Sequence, residues 1–479
     1  MWSVRASGNY YRARRWDYNQ NNGWPTVNIN PAVAGTPITV VRGATPSKGQ
    51  IIEDGGGLQA DLLAHYWAAN HKIENRTLGA IDFNDYYRWD PTRSYAAATD
   101  PDLVAWNTAA RTVTLNPVTL EPISPINYFT KWFDGSKGIS TRIRKQRVTV
   151  GGALIRHQTA LFEGSLLAYA GARYDTVQFR HRDFTAPPAG YAPGQLLDKK
   201  MNSGLKPNLG INYKLTPNLR VFANYSESFF VPQSDATATV ALPDYVAETA
   251  EGYDYGFKGS LLNDRLSFTV SGFYANRHNV SVNDSVETPP GSGTFITTTR
   301  RDGDQLVRGY EVDVNYNISD QFNVGGSWGH VFSMYSNFGS LFPEAIGRRV
   351  TGVSPENGSA YVKYTPASRS WKAFSANLGV TYVGSTPTEQ PNAGDTTARV
   401  NGVVVVTRTT NQWRLRIPSY TQWNIGARYR FANRGRFDHT IAVNVNNLFD
   451  VDFLRANKLP GDRRAVYFTY TLGHSGGRR

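Results

Sequence analysis

Ser327 has the strongest formal claim to chemistry in the chain. It is the serine of Gly325-Gly326-Ser327-Trp328-Gly329, the G-x-S-x-G pattern that can raise a nucleophile on a sharp strand-to-helix turn. Here the pentapeptide lies inside an alternating segment that begins at Phe322, and no helical pattern follows. A strand is the better reading, and Ser327 is not assigned as a nucleophile. The 8 histidines are scattered, with no His-x-x-x-His and no Glu-flanked pair, so no zinc site is assigned. With 0 cysteines there is no thiolate metal site, disulfide framework or thiol nucleophile. Gly55-Gly56-Gly57 precedes a strand instead of joining a strand to a helix, so it reads as loop punctuation and not as a phosphate cradle. Lys plus Arg number 51 against 38 Asp plus Glu, a formal net charge of +13. A nucleic-acid surface would cluster these cations. They are dispersed instead, and many alternate with apolar residues, as Arg428 and Arg430 do. No enzyme, cofactor, metal site or nucleic-acid partner is expected.

The elements that would carry these residues are strands. Leu266, Phe268, Val270, Gly272 and Tyr274 alternate with Ser267, Thr269 and Ser271. Tyr310, Val312, Val314 and Tyr316 alternate with Glu311, Asp313 and Asn315. The same period recurs over 419–431 and 465–472. Each stretch has an aromatic-rich apolar face and a polar one. Leu58, Leu62 and Tyr66 fit a helix as well as a strand, and the neighbouring strands favour a strand. The expected strands are 2–13, 57–67, 74–88, 140–158, 164–180, 203–214, 219–228, 250–260, 265–281, 295–316, 321–334, 357–365, 371–383, 419–431, 437–447 and 465–472. Connections between them alternate long and short. The long ones are 14–56, 89–139, 181–202, 229–249, 282–294, 335–356, 384–418 and 448–464.

No apolar run approaches the roughly 18 residues of a membrane helix. A soluble sandwich has no reason to place every long loop on one rim. A transmembrane barrel has long extracellular loops, short periplasmic turns, an apolar outer face and a polar lumen. The expectation is therefore all-β: an antiparallel meander closed as a transmembrane β-barrel of about 16 strands. The aromatics, 13% of residues, are expected in interfacial girdles.

Several blocks carry a family resemblance. They are 206–213 leading into 219–226, and Arg308-Gly309-Tyr310-Glu311-Val312-Asp313. Ser354-Pro355-Glu356-Asn357 and Ile417-Pro418-Ser419-Tyr420 each open a strand. Val445-Asn446-Asn447-Leu448-Phe449-Asp450, followed by Pro460-Gly461-Asp462-Arg463 and a last aromatic strand, is the most distinctive. Residues 203–472 resemble the C-terminal barrel of the TonB-dependent outer-membrane receptor family, siderophore-receptor type. The resemblance implies outer-membrane location and uptake of an iron–siderophore complex or similarly scarce nutrient. It also implies contact with the TonB energy-transducing complex through a plug, with outer-membrane lipid and with the barrel-insertion machinery. Competing expectations are a passive porin-like channel and a truncated product without function.

On this resemblance residues 1–472 are the barrel and 473–479 a C-terminal tail. No plug pattern is visible, and about 16 strands against about 22 for plugged transporters leads to the expectation of an incomplete barrel. Ligand-binding residues of the family lie on variable loops. Aromatic and cationic groups on the long loops suit anionic chelates, which singles out Trp106, Tyr128, Trp132, Tyr335, Arg348, Arg349 and Trp413.

Overall fold

The structure is a computed structural model. It describes residues 1–28, 38–94, 101–109, 112–115, 139–185, 192–230, 247–287, 289–338, 342–367, 373–388, 396–407, 416–431, 437–455 and 460–474. The strands are β1 (Trp2–Asn28), β2 (Ile38–Ala68), β3 (Ile73–Ser94), β4 (Thr112–Leu115), β5 (Ile139–Leu161), β6 (Leu166–Asp183), β7 (Leu197–Thr216), β8 (Leu219–Phe230), β9 (Glu248–Leu261), β10 (Leu266–Glu287), β11 (Phe295–Asn317), β12 (Phe322–Asn337), β13 (Glu356–Tyr364), β14 (Phe374–Val383), β15 (Thr386–Pro387), β16 (Thr396–Val400), β17 (Val403–Thr407), β18 (Arg416–Ile417), β19 (Tyr420–Arg430), β20 (Phe437–Asn446) and β21 (Ala465–His474). Among the described residues one α-helix, α1 (Pro101–Ala109), lies between β3 and β4, and a 3-10 turn spans Pro343–Ala345.

Seventeen strands form one sheet. All but the short β4 follow a nearest-neighbour antiparallel order, from β1 through β14 to β19, β20 and β21. Cross-strand register shows why the alternation matters. One rung across six strands reads Phe268, Val314, Gly326, Ala360, Val380, Trp423. The adjacent rung reads Thr269, Asp313, Ser327, Ser359, Thr381, Gln422. A slip of one residue in any strand would move an apolar set onto the polar face. The apolar rungs are the outer wall and the polar rungs the inner one, as the alternation of Val312 and Val314 with Glu311 and Asp313 predicts. Ser327 sits in mid-strand with its hydroxyl 2.9 Å from that of Ser359, so no nucleophile elbow forms.

Short turns gather on one rim. The β2–β3 turn places Ala69, Asn70 and His71 at φ 50°, 52° and 67°. The β9–β10 turn places Leu262, Asn263 and Asp264 at φ 55°, 56° and 62°. Asn and Asp tolerate this left-handed region best, which suits them to such turns.

On the opposite rim the strands run further than their alternation does. Residues 14–56 read as a long loop, yet β1 extends to Asn28 and β2 begins at Ile38. The ladder continues through Trp16 opposite Gln50 and Asn22 opposite Ala44. Past the lipid both faces of a strand meet water, so the backbone ladder persists while the period-two pattern fades. Likewise β10 reaches Glu287 and β7 begins at Leu197. The loop 384–418 contains the β16–β17 hairpin and the β15–β18 pair. The α1 helix was not predicted; Pro101 and Asp102 in its first turn are ordinary helix-start residues.

Candidate functional site

The long-loop rim holds the packed apolar clusters and most of the sequence-predicted residues that are described. On one side, Val282, Tyr335, Phe338, Phe342, Ala345 and Val350 form a core, with Val353 and Val406 packed against it. This core gathers three of the predicted residues. Tyr335 lies near the end of β12, and its N–H donates to the Arg348 carbonyl at 2.9 Å while Gly347 donates back at 2.8 Å. Arg349 bridges to Met334. The Arg348 Nε donates to the Glu344 carbonyl at 3.3 Å. Tyr335 itself is only 3% exposed, with its ring edge-on to Phe338 at 4.7 Å. Burial pushes its hydroxyl above the ordinary tyrosine range. Tyr335 is thus a pillar of the loop core, and Arg348 and Arg349 beside it are partly exposed.

Beneath the core lies a polar network on the inner face. Arg277 Nη1 donates to Gln305 Oε1 at 2.8 Å, and its Nε donates to Glu248 at 3.0 Å. Gln305 pairs with Tyr335 across the β11–β12 ladder. Sequence reasoning did not select Arg277 or Gln305. Their alternation parity with Ser271 and Glu311 is the signal that would have placed them inward.

The β16–β17 hairpin folds over this region. Arg399 Nη2 approaches Glu287 Oε2 at 2.5 Å, and Glu287 also accepts from the Gly293 N–H at 2.8 Å. The Arg399 guanidinium, followed by backbone N–H groups of Gly291 and Gly293, holds the Glu287 carboxyl down at about 2. Val406 of the same hairpin touches the apolar core.

Further along the same sheet is a second cluster of Val148, Val177, Phe179 and Leu197, with Val150 and Phe229 against it. His181, near the top of β6, stacks on Phe179 at 6.0 Å and is 2% exposed. Neither ring nitrogen has a hydrogen-bond partner. Burial pushes its pKa down to about 4; nearby Asp183 opposes this and Arg144 adds to it.

Lower on the inner wall, Arg173 of β6 reaches Asp82 of β3 at 2.8 Å and Asp175 at 2.6 Å. The intervening strand carries Gly152, where a Cβ would stand 2.1 Å from Arg173 Nη2. Glycine there lets side chains from β3 and β6 meet across β5.

Trp106 lies in α1, whereas Tyr128, Trp132 and Trp413 fall outside the described residues. Among the described residues, no three His, Asp or Glu side chains gather in a metal-holding group.

An antiparallel meander with an apolar outer wall, a polar inner wall and all its packed loops on one rim defines an outer-membrane barrel. Residues 2–448 match the family profile described as TonB dependent receptor-like, beta-barrel. The chain belongs to that family, whose members are bacterial outer-membrane receptors and transporters, not enzymes. The long-loop rim is therefore extracellular. Among curated proteins it is similar to the metal-pseudopaline receptor CntO of Pseudomonas aeruginosa, 24% identical over 273 residues, 56% of this chain and 33% of that one. It is also similar to the ferric-pyoverdine 358 receptor of Pseudomonas putida, 25% identical over 261 residues, 54% of this chain and 27% of that one. The matched part of the chain thus covers a third or less of the length of these relatives. Among solved structures, BauA, the ferric preacinetobactin receptor of Acinetobacter baumannii, superposes with a TM-score of 0.67 at 13% identity, covering 98% of this chain and 60% of that one. The ferric citrate transporter FecA gives 0.65 at 16% identity, covering 98% and 62%.

Proposed function

We propose that this chain supplies barrel wall and extracellular mouth to a receptor for an anionic metal chelate, taken up across the outer membrane with energy from TonB. The observation that carries the reading is the mouth itself. Arg348 and Arg349 are held beside an aromatic core that locks the loop bearing them. Arginine suits such a ligand because its planar fork can meet a carboxylate with two hydrogen bonds. Relatives named for metal-pseudopaline and ferric-pyoverdine support the same class of ligand. Trp106, Tyr128, Trp132 and Trp413 remain proposed contacts on the other long loops. The ligand passes without chemical conversion, so the chain is not an enzyme.

The test is a titration of the full receptor with a panel of ferric chelates, anionic and neutral, before and after Arg348→Ala and Arg349→Ala. We expect the double replacement to weaken anionic chelates by tenfold or more and to leave neutral ones unchanged, each charged hydrogen bond contributing about 1.5–3 kcal/mol. Unchanged affinity across the anionic set would remove both arginines from the site.

A further inference from the structure

We propose that the outer wall of β3, β5 and β6 carries a docking patch for a phosphorylated lipid of the outer leaflet. The patch faces away from the lumen, so it is independent of the chelate reading. Its foundation is a lipid-facing rung of Ala6, Ala60, Ile81, Ala153, Tyr174 and Leu205. Six residues further along β5 toward the long loops, the same face changes character. That rung reads Arg12, Asp54, Tyr87, Arg147, Arg180, Asp198. The next reads Arg14, Ile52, Trp89, Lys145, Arg182. Six residues of strand span about 20 Å, or about 15 Å along the membrane normal at the tilt of such strands. That distance, with the Asp85 carboxylate already on an intervening rung of the same face, puts the cations past the apolar band, at the level of the lipid headgroups.

Charge in the two rungs does not balance. The lower carboxylates are already engaged: Asp54 with Arg12 at 3.1 Å and Asp198 with Arg180 at 3.4 Å. Arg147 is paired with Asp85, one rung down, at 2.9 Å. The upper rung has three cations and no carboxylate. Lys145 and Arg182 are exposed yet held, Lys145 over the Phe184 ring at 5.8 Å and Arg182 Nη1 donating to the Gly194 carbonyl at 2.8 Å. Between them and Arg14 stands Trp89, whose indole N–H is buried without an acceptor. An excess of fixed positive charge standing above an apolar wall fits a phosphate carried on an acyl-chain anchor. A soluble anion would use the charge and ignore the wall.

The test uses the whole chain purified in detergent, titrated with bis-phosphorylated lipid A and with the fully dephosphorylated lipid. We expect the phosphorylated lipid to bind at least tenfold more tightly. Each basic residue near an anionic surface is worth about fivefold, so K145A/R182A should lose about thirtyfold for the phosphorylated lipid and nothing for the other. Arg428→Ala, on the lumen face, should change neither. Heat-modifiable gel mobility checks folding; if the double variant does not fold, K145A alone should lose about fivefold. Equal binding of the two lipids, or an unchanged K145A/R182A, overturns the proposal. So does an equal loss in Arg428→Ala, which would mean bulk charge. Displacement by millimolar inorganic phosphate would show a free-anion site and overturn the lipid assignment.

Discussion

His181 shows how a single side chain links burial to pH. Unfolded, its imidazole titrates near 6.5; folded, burial holds it down at about 4. Between those values the unfolded chain binds a proton that the folded chain refuses. Stability from this residue is therefore full above pH 6.5 and is lost as pH falls through about 4, to a limit of about 3 kcal/mol. His181→Leu removes the titration and suits the apolar setting of Phe179 and Leu197. We expect wild type to lose more thermal stability than His181→Leu between pH 7 and pH 4.5, with the variant equal or better at pH 7. Equal acid losses in the two melting curves would show that His181 is not protected from protons. Nothing in the local sequence His181-Arg182-Asp183 singles out the imidazole. Its burial comes from strands β5 and β7, which flank it with Gln146 and Leu197, each far from it along the chain.

At the scale of elements, the β16–β17 hairpin is the piece whose placement depends most clearly on one ion pair. Glu287 lies beyond the membrane-spanning part of β10, and its carboxyl is depressed from 4.5 to about 2. A depressed carboxyl stabilises docking above its unfolded value and loses that contribution as pH falls through the folded one. The hairpin should stay docked from pH 8 to pH 5 and be released between about 4.5 and about 2. The chain has 0 cysteines, so Val403→Cys, at an exposed position, gives a unique spin-label site. Electron paramagnetic resonance should show an ordered label at neutral pH in wild type and a mobile one in Glu287→Gln at the same pH. An ordered label in Glu287→Gln would assign docking to Val406 and the apolar core instead.

The same scale shows what the sequence could disclose. Where lipid meets one face and water the other, as along Tyr310–Tyr316, alternation reports both strand and orientation. Where composition carries no period, as along Trp16–Asn28, the strand is invisible in the sequence. The loop core was legible only as residue types: Arg348 and Arg349 were visible as loop cations, but the burial of Tyr335 follows from a chain reversal that no pattern announces. Arg277 and Arg173 were missed because their roles arise from cross-strand register, not from neighbours in sequence.

At the scale of the whole molecule, the sheet has two edges. Among the described residues β1 pairs only with β2, and β21 only with β20. Both are laid open: Trp2 is 71% exposed and Phe468 78%. In an antiparallel ladder every second residue turns its N–H and C=O toward the partner, so an edge strand leaves the other half unpaired. In hydrocarbon each such group costs several kcal/mol, which makes both edges strong acceptors for further strands. Detergent micelles admit water to those edges. Hydrogen exchange of the chain in micelles should therefore show about half the amides of Ala465–His474 and of the membrane-level part of β1 exchanging within minutes. Amides of β10, paired with β9 and β11 on both sides, should be protected for hours. Protection of β1 and β21 equal to that of β10 would mean that the edges pair, with each other or with a second copy. A disulfide formed between Val4→Cys and Phe468→Cys at high dilution would then identify closure within one chain.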